Sequence, residues 1–141
     1  MLDSVFSKSQ IRVIVADDSD VVRHAVRAIL ENGLSAICSS ARDLDEALKI
    51  ASDTPVDLAL LDYKMPGMDG LNGLNHIRSS DIRHFALLSG NISSDAVEEA
   101  IGLGASGFLP KSLPPSVILE AVRAMCLGER FPAQHFSVPL I

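Results

Sequence analysis

The chain alternates short apolar runs with longer stretches whose apolar residues recur at helical spacing. Ile11 to Ala16 is a compact β-branched run and predicts a first strand that stops at Asp17-Asp18-Ser19. From Asp20 to Asn32 the period lengthens. Val22, Val26, Ile29 and Leu30 fall on one helical face, and Arg23, Arg27 and Glu31 on another. Asn32-Gly33 has the character of a helix stop. Leu34 to Ser39 predicts a second, weaker strand. Asp43 is placed to cap a helix running to about Ser52, with Leu44, Ala47, Leu48 and Ala51 inward and Thr54-Pro55 as its breaker. Leu58 to Leu61 is continuously apolar, as a central parallel strand buried on both faces should be, and Asp62 follows it.

The second half repeats the rhythm. A turn-rich loop, Met65-Pro66-Gly67-Met68-Asp69-Gly70, leads to a short helix over Leu71 to Ser79, weakened by Gly73. Phe85 to Leu88 is strand four, ending at Ser89-Gly90, and helix four covers Ser94 to Leu103. Gly107 to Leu109 is a brief fifth strand, followed by Pro110-Lys111. Pro115 suits the first turn of a last helix reaching Leu127. Strands alternating with helices imply an α/β fold, a parallel sheet covered on both faces. Right-handed crossovers leave few topologies, and the flavodoxin-like order 2-1-3-4-5 is the commonest for five units. The 141 residues suit one domain of roughly 100–150 residues. The division expected is an N-terminal extension over 1–10, the domain over 11–128, and a tail or linker over 129–141.

Composition narrows the classes. The net charge of -6 and the absence of a Lys/Arg cluster argue against nucleic-acid binding by this segment. No apolar stretch approaches the ~18 residues of a membrane span, and Met1 to Gln10 lacks a signal-peptide core, so a cytoplasmic location is expected. Cys38 and Cys126 form no CxxC pair and read as small core residues. His24, His76, His84 and His135 lack metal-ligand spacing. The last helix carries apolar residues beyond one face: Val117, Ile118, Ala121, Val122 and Met125 fill a core side, yet Leu119, Ala124, Cys126 and Leu127 are apolar too. Deep packing and a partner surface both account for so wide a stripe.

Ligands of open α/β sheets bind beyond the carboxyl ends of the strands, at the switch point. There the pattern places Asp17 and Asp18 after strand one, Asp62 after strand three, Ser89 after strand four and Lys111 after strand five. Three carboxylates in one crevice repel one another, and a hard divalent cation relieves this. Mg2+ fits, because it takes a few carboxylates together with water and a phosphate oxygen. One carboxylate is left as a nucleophile able to form an acyl phosphate. Lys111 neutralises phosphoryl oxygens, Ser89 donates to one of them, and Gly90 leaves the approach open. Each piece alone has a bland reading as a cap, a loop hydroxyl or a solvated charge; their coincidence at adjacent strand ends is the argument.

These residues also fall in recognisable runs: Val13-Ile14-Val15-Ala16-Asp17-Asp18, Leu60-Leu61-Asp62-Tyr63-Lys64-Met65-Pro66-Gly67-Met68-Asp69-Gly70, Leu88-Ser89-Gly90, and Gly104-Ala105-Ser106-Gly107-Phe108-Leu109-Pro110-Lys111. Over residues 10 to 128 the chain resembles the CheY-like receiver domains of two-component response regulators. The resemblance implies phosphorylation of Asp62 by the phosphohistidine of a sensor histidine kinase or phosphotransfer protein. It implies Mg2+ on Asp17, Asp18 and Asp62, with the backbone carbonyl of Lys64 as a further ligand. It implies that Ser89 and Phe108 form a switch pair, and that the domain accepts a phosphoryl group rather than turning over a substrate. Ser112 stands where many relatives have Pro, Tyr63 where an aliphatic residue is usual, and Lys64 near the hydrolytic water.

Gly128-Glu129-Arg130-Phe131-Pro132 resembles the end of receivers in NarL/LuxR-type regulators, whose output is a helix-turn-helix domain. A receiver that reaches DNA only through a domain absent from this chain, and that dimerises on phosphorylation, is therefore expected. A stand-alone receiver that docks on another protein is the alternative. A phosphatase of the haloacid dehalogenase type uses similar groups, but in a D-x-D arrangement after strand one; here Asp17 and Asp18 are adjacent and Ser19 follows. A degenerate receiver, used only for binding, is disfavoured by the full set of Asp17, Asp18, Asp62, Ser89 and Lys111.

Overall fold

Strand residues of this chain alternate between two separate hydrophobic cores, and that alternation fixes the architecture. A computed structural model describes residues Gln10–Pro132. The N-terminal extension before Gln10, the tail from Ala133 and the expectation for His135 lie outside the described residues. The elements are β1 (Arg12–Ala16), α1 (Asp20–Leu34), β2 (Ile37–Ala41), α2 (Leu44–Asp53), β3 (Val56–Asp62), α3 (Leu74–Arg78), β4 (Ile82–Ser89), α4 (Ser94–Gly102), β5 (Phe108–Pro110) and α5 (Pro115–Cys126). The strands are parallel and ordered β2-β1-β3-β4-β5, the flavodoxin-like order expected.

Val13 and Val15 of β1, Leu58 and Leu60 of β3, and Ala86 and Leu88 of β4 join α1 and α5 in one core. Ile14, Ala16, Ala59, Leu61, Phe85 and Leu87, the residues between them, join α2, α3 and α4 in the other. A period of two with both faces apolar is what a sheet covered on both sides requires. Asp43 caps α2 as expected, accepting from the Glu46 N–H at 2.8 Å. Ser19 and Ser93 cap α1 and α4 in the same way.

Several boundaries differ from expectation. Helix α1 does not stop at Asn32-Gly33; it continues to Leu34, and Ser35 takes the left-handed cap conformation. Gly33 has a packing reason instead: a Cβ there would come within 2.5 Å of the Leu119 side chain of α5. The two added helical residues push β2 to Ile37–Ala41, later than the expected Leu34–Ser39. Helix α3 is confined to Leu74–Arg78, with turns over the preceding residues. Strands β3 and β4 run longer than their apolar centres, to Val56–Asp62 and Ile82–Ser89.

The wide stripe of α5 is largely absorbed by packing on two sides. Ile118, Ala121, Val122 and Met125 are buried under the sheet, and Leu119 turns to Gly33 of α1. Val117 is half-buried rather than core, and Leu127, just past the helix, is 73% exposed. After α5 the chain returns to the free edge of β5. Phe131 forms a parallel bridge with Gly107, donating its N–H to the Ser106 carbonyl at 3.0 Å and accepting from the Phe108 N–H at 3.1 Å.

Candidate functional site

The sheet order turns between β1 and β3, so the loops after these strands diverge and leave a crevice at their carboxyl ends. Asp17 directly follows β1 and is fully buried; Asp62 is the last residue of β3 and is buried as well. Asp18 follows Asp17 and is exposed. Asp17, Asp18 and Asp62 each offer a carboxylate oxygen within 4.8 Å of the others. Lys111, next after β5, reaches across β4 to this group. Its Nζ lies 2.7 Å from Asp17 Oδ2 and 3.5 Å from Asp62 Oδ1, so the ammonium sits nearer Asp17 than the phosphoacceptor candidate.

The electrostatics follow from that geometry. Burial is the main influence raising the Asp62 carboxyl above its ordinary value, and the charges of Asp17 and Asp18 add to it. The Lys64 N–H, which donates to Asp62 Oδ1 at 3.2 Å, and Lys111 oppose the rise without cancelling it. Burial alone would depress the Lys111 ammonium, but its contacts with Asp17 and Asp62 outweigh this and hold it above the usual lysine value. Three carboxylates against one ammonium leave an uncompensated negative charge at the crevice. Asp17 Oδ2 is buried and, although paired with Lys111, accepts no directed hydrogen bond. An open lone pair on a buried anionic oxygen, beside two more carboxylates, fits a hard divalent cation and suits Mg2+.

Ser89 ends β4 and is buried, its Oγ accepting from the Asn91 N–H at 3.1 Å. Phe108 opens β5 opposite Leu87, and Ser89 pairs with Pro110, so the two switch candidates lie on neighbouring strands. Phe108 is half-buried and packs on the core shared with α2, α3 and α4. The Lys64 side chain is exposed, and the Lys111-Ser112 peptide is trans. Cys38 and Cys126 are free and half-buried, and burial pushes their thiols up to about 11 and about 12, away from reactive thiolates.

Arg23 is the residue the helical pattern misplaces. Its spacing puts it on the face of Arg27 and Glu31, yet it is buried and its Nη1 donates to the Asp17 carbonyl at 2.6 Å. A long side chain one turn into a helix can fold back over the loop before it, and periodicity alone does not register that reach.

This arrangement has known counterparts. The model of the response regulator receiver domain matches residues 13–123. The nitrate/nitrite response regulator protein NarP of Escherichia coli K12 is 35% identical over 121 residues, which is 84% of this chain and 56% of that protein. The response regulator UvrY of the same organism is 30% identical over 130 residues, 90% of this chain and 59% of that protein. The chain thus spans little more than half the length of the curated relatives it matches. Among solved structures, the signal receiver domain of NarL from Mycobacterium tuberculosis superposes with a TM-score of 0.77 at 33% identity, covering 85% of this chain and 98% of that one. A two-component response regulator of the LuxR family from Aurantimonas sp. SI85-9A1 gives the same TM-score, 0.77, at 28% identity over 86% of this chain and 88% of that one. The fold, the run of matched residues and these relatives agree: the chain belongs to the response regulator receiver domain family, as a receiver of the NarL/LuxR type of two-component regulator.

Proposed function

We propose that this domain accepts a phosphoryl group on Asp62 from the phosphohistidine of a sensor kinase or phosphotransfer protein, in a reaction that requires Mg2+. The observation that carries the reading is the meeting of Asp17, Asp18 and Asp62 oxygens within 4.8 Å, with Lys111 at 3.5 Å from Asp62. A carboxylate oxygen of Asp62 attacks phosphorus, the phosphorus–nitrogen bond breaks, and the leaving imidazole nitrogen takes up a proton. Lys111 meets the charge of the phosphoryl oxygens, and Ser89 donates a hydrogen bond to one of them. Bound Mg2+, held by Asp17, Asp18, Asp62 and the Lys64 carbonyl, would supply positive charge to the transferring group. The domain acts as a switch, reset by hydrolysis of the acyl phosphate, and not as a turnover enzyme.

Output follows from movement of Ser89 toward the phosphoryl group, with Phe108 turning into the space it leaves. We infer that this surface change favours a homodimer and controls transcription through a DNA-binding domain outside this chain, in the cytoplasm. The net charge of -6 supports leaving DNA contact to another domain. The test is incubation with Mg2+ and acetyl phosphate, followed by intact-mass measurement. The expected result is one added phosphoryl group on the parent chain and none on Asp62→Asn. Undiminished labelling of Asp62→Asn overturns the assignment.

A further inference from the structure

Arg23 carries a buried positive charge beside the candidate cation site without touching any of its three carboxylates. Its side chain is 9% exposed. A guanidinium so placed needs partners, and two of its five N–H donors go to opposite ends of one loop. Nη1 donates to the backbone carbonyl of Asp17 at 2.6 Å, while Nη2 pairs with the carboxylate of Asp20, itself 75% exposed. The fork therefore spans the loop from Asp17 to Asp20 and closes it against the first turn of α1.

The rest of that loop shows what the clamp controls. Asp17 is fixed on every side: its N–H donates to the Ala41 carbonyl at 3.0 Å, and its Oδ1 accepts from the Ser19 N–H at 2.9 Å. Asp18 is exposed, and its carboxylate makes no hydrogen bond or ion pair among the described residues. The position of Asp18 is thus set by the backbone alone, and Arg23 holds that backbone from both ends.

We propose that Arg23 is a positioning residue for the divalent cation, keeping the Asp17 and Asp18 carboxylates together while directing its own charge to Asp20. This rests on the reading of Asp17 and Asp18 as Mg2+ ligands. Positioning and simple electrostatics act on Mg2+ affinity with opposite signs here. On charge alone, removing a nearby cation strengthens Mg2+ binding, and replacing Arg23 by lysine changes little. On positioning, both changes weaken binding, because an ammonium is a point charge that cannot span a carbonyl and a carboxylate as a planar fork does.

The test is calorimetric titration of the chain with magnesium chloride alone, for the parent, Arg23→Met and Arg23→Lys. Fluorescence of Tyr63, the single tyrosine in a chain without tryptophan, gives a second readout beside Asp62. The expected result is a loss of Mg2+ affinity of about tenfold in both variants, the usual effect of removing a group that orients metal ligands. Arg23→Lys keeps charge and length, so it serves if Arg23→Met does not fold. Tighter binding by Arg23→Met, or parent-like affinity in a variant that has only lost resistance to urea, overturns the proposal and leaves Arg23 a structural residue. A parent chain that binds no Mg2+ instead overturns the cation reading itself, so the two failures are distinct.

Discussion

Asp17, Asp62 and Lys111 form a triad in which each residue is poorly placed without the others. Asp17 is fully buried and its nearest cation is the Lys111 ammonium, 2.7 Å away. Lys111→Ala leaves a buried carboxylate without its cation, a change that costs roughly 3 kcal/mol in comparable pairs. Denaturant melts in chelator should show that loss at neutral pH, and saturating Mg2+ should return much of it. Asp62 behaves in the opposite sense. Its carboxyl is raised above the ordinary 3.8 by burial and by its acidic neighbours, so just above 3.8 the folded chain retains a proton more often than the unfolded chain does. Between 3.8 and the raised value the unfolded state binds fewer protons, and stability falls as pH rises through that window. In chelator, Asp62→Asn should therefore melt higher than the parent at neutral pH. The expected readout is a rise in melting temperature. The difference should shrink as pH drops below 4 and should shrink again when Mg2+ is added. A difference that does not change with pH would remove Asp62 as the source of the penalty.

At the scale of elements, the free edge of β5 shows how the last stretch of chain is held. Phe131 lies along β5, and its carbonyl accepts from the N–H of Phe108. A Cβ on Gly107 would stand 1.8 Å from that carbonyl oxygen, a backbone atom that cannot swing aside. Gly107→Ala should therefore lift Phe131 off the edge while leaving the pairing of β4 with β5 in place. Hydrogen exchange reads this directly: the Phe131 and Phe108 amides should lose protection, and Leu109, bonded within the sheet, should keep it. Equal protection in the variant would mean the edge contact is not what Gly107 accommodates. This contact was not legible in the sequence, because Glu129 to Pro132 has neither a strand's alternation nor a helix's period. The β2 boundary was misread for a related reason. It is an edge strand, half-buried through Ile37–Ser40, so its apolar signal is faint, and Gly33 resembles a helix stop when only the sequence is in view. The inner strands were legible in position, since both of their faces are buried and their runs are unbroken. Most of the candidate site was legible for the same reason: Asp17, Asp62 and Ser89 are the residues at which those runs end, whereas Lys111 follows the short edge strand β5 and was found from the Pro110-Lys111 pair. Arg23 was not, because its role lies in where a long side chain reaches and not in where its Cα sits.

For the molecule as a whole, the end of α5 offers an apolar surface to a partner. Just past α5, Leu127 is exposed beside a concavity of about 590 Å³ on the side of the sheet that carries α1 and α5. Ile11, Gly33, Leu34, Cys126 and Leu127 line that concavity together with Arg123 and Asp57, whose charges are opposite; Asp57 already accepts from the Arg12 N–H at 2.8 Å and keeps part of its carboxylate exposed. An apolar lining that includes both charge signs suits a self-complementary contact, in which the Arg123 of each copy faces the Asp57 of the other across a two-fold axis. The dimer expected from the sequence is thus best served by the end of α5. Its coupling to the switch requires that the second copy bind the two states of the domain differently. Sedimentation velocity with Mg2+ and beryllofluoride, an acyl-phosphate mimic, should convert monomer to dimer. Leu127→Glu should abolish the dimer while leaving acetyl phosphate labelling of Asp62 intact. A monomer at high concentration in both states would rule out the dimer switch and favour a receiver that signals by docking on a different protein. A beryllofluoride-dependent dimer that Leu127→Glu leaves unchanged would move the contact away from this groove, to the face formed by α4, β5 and α5.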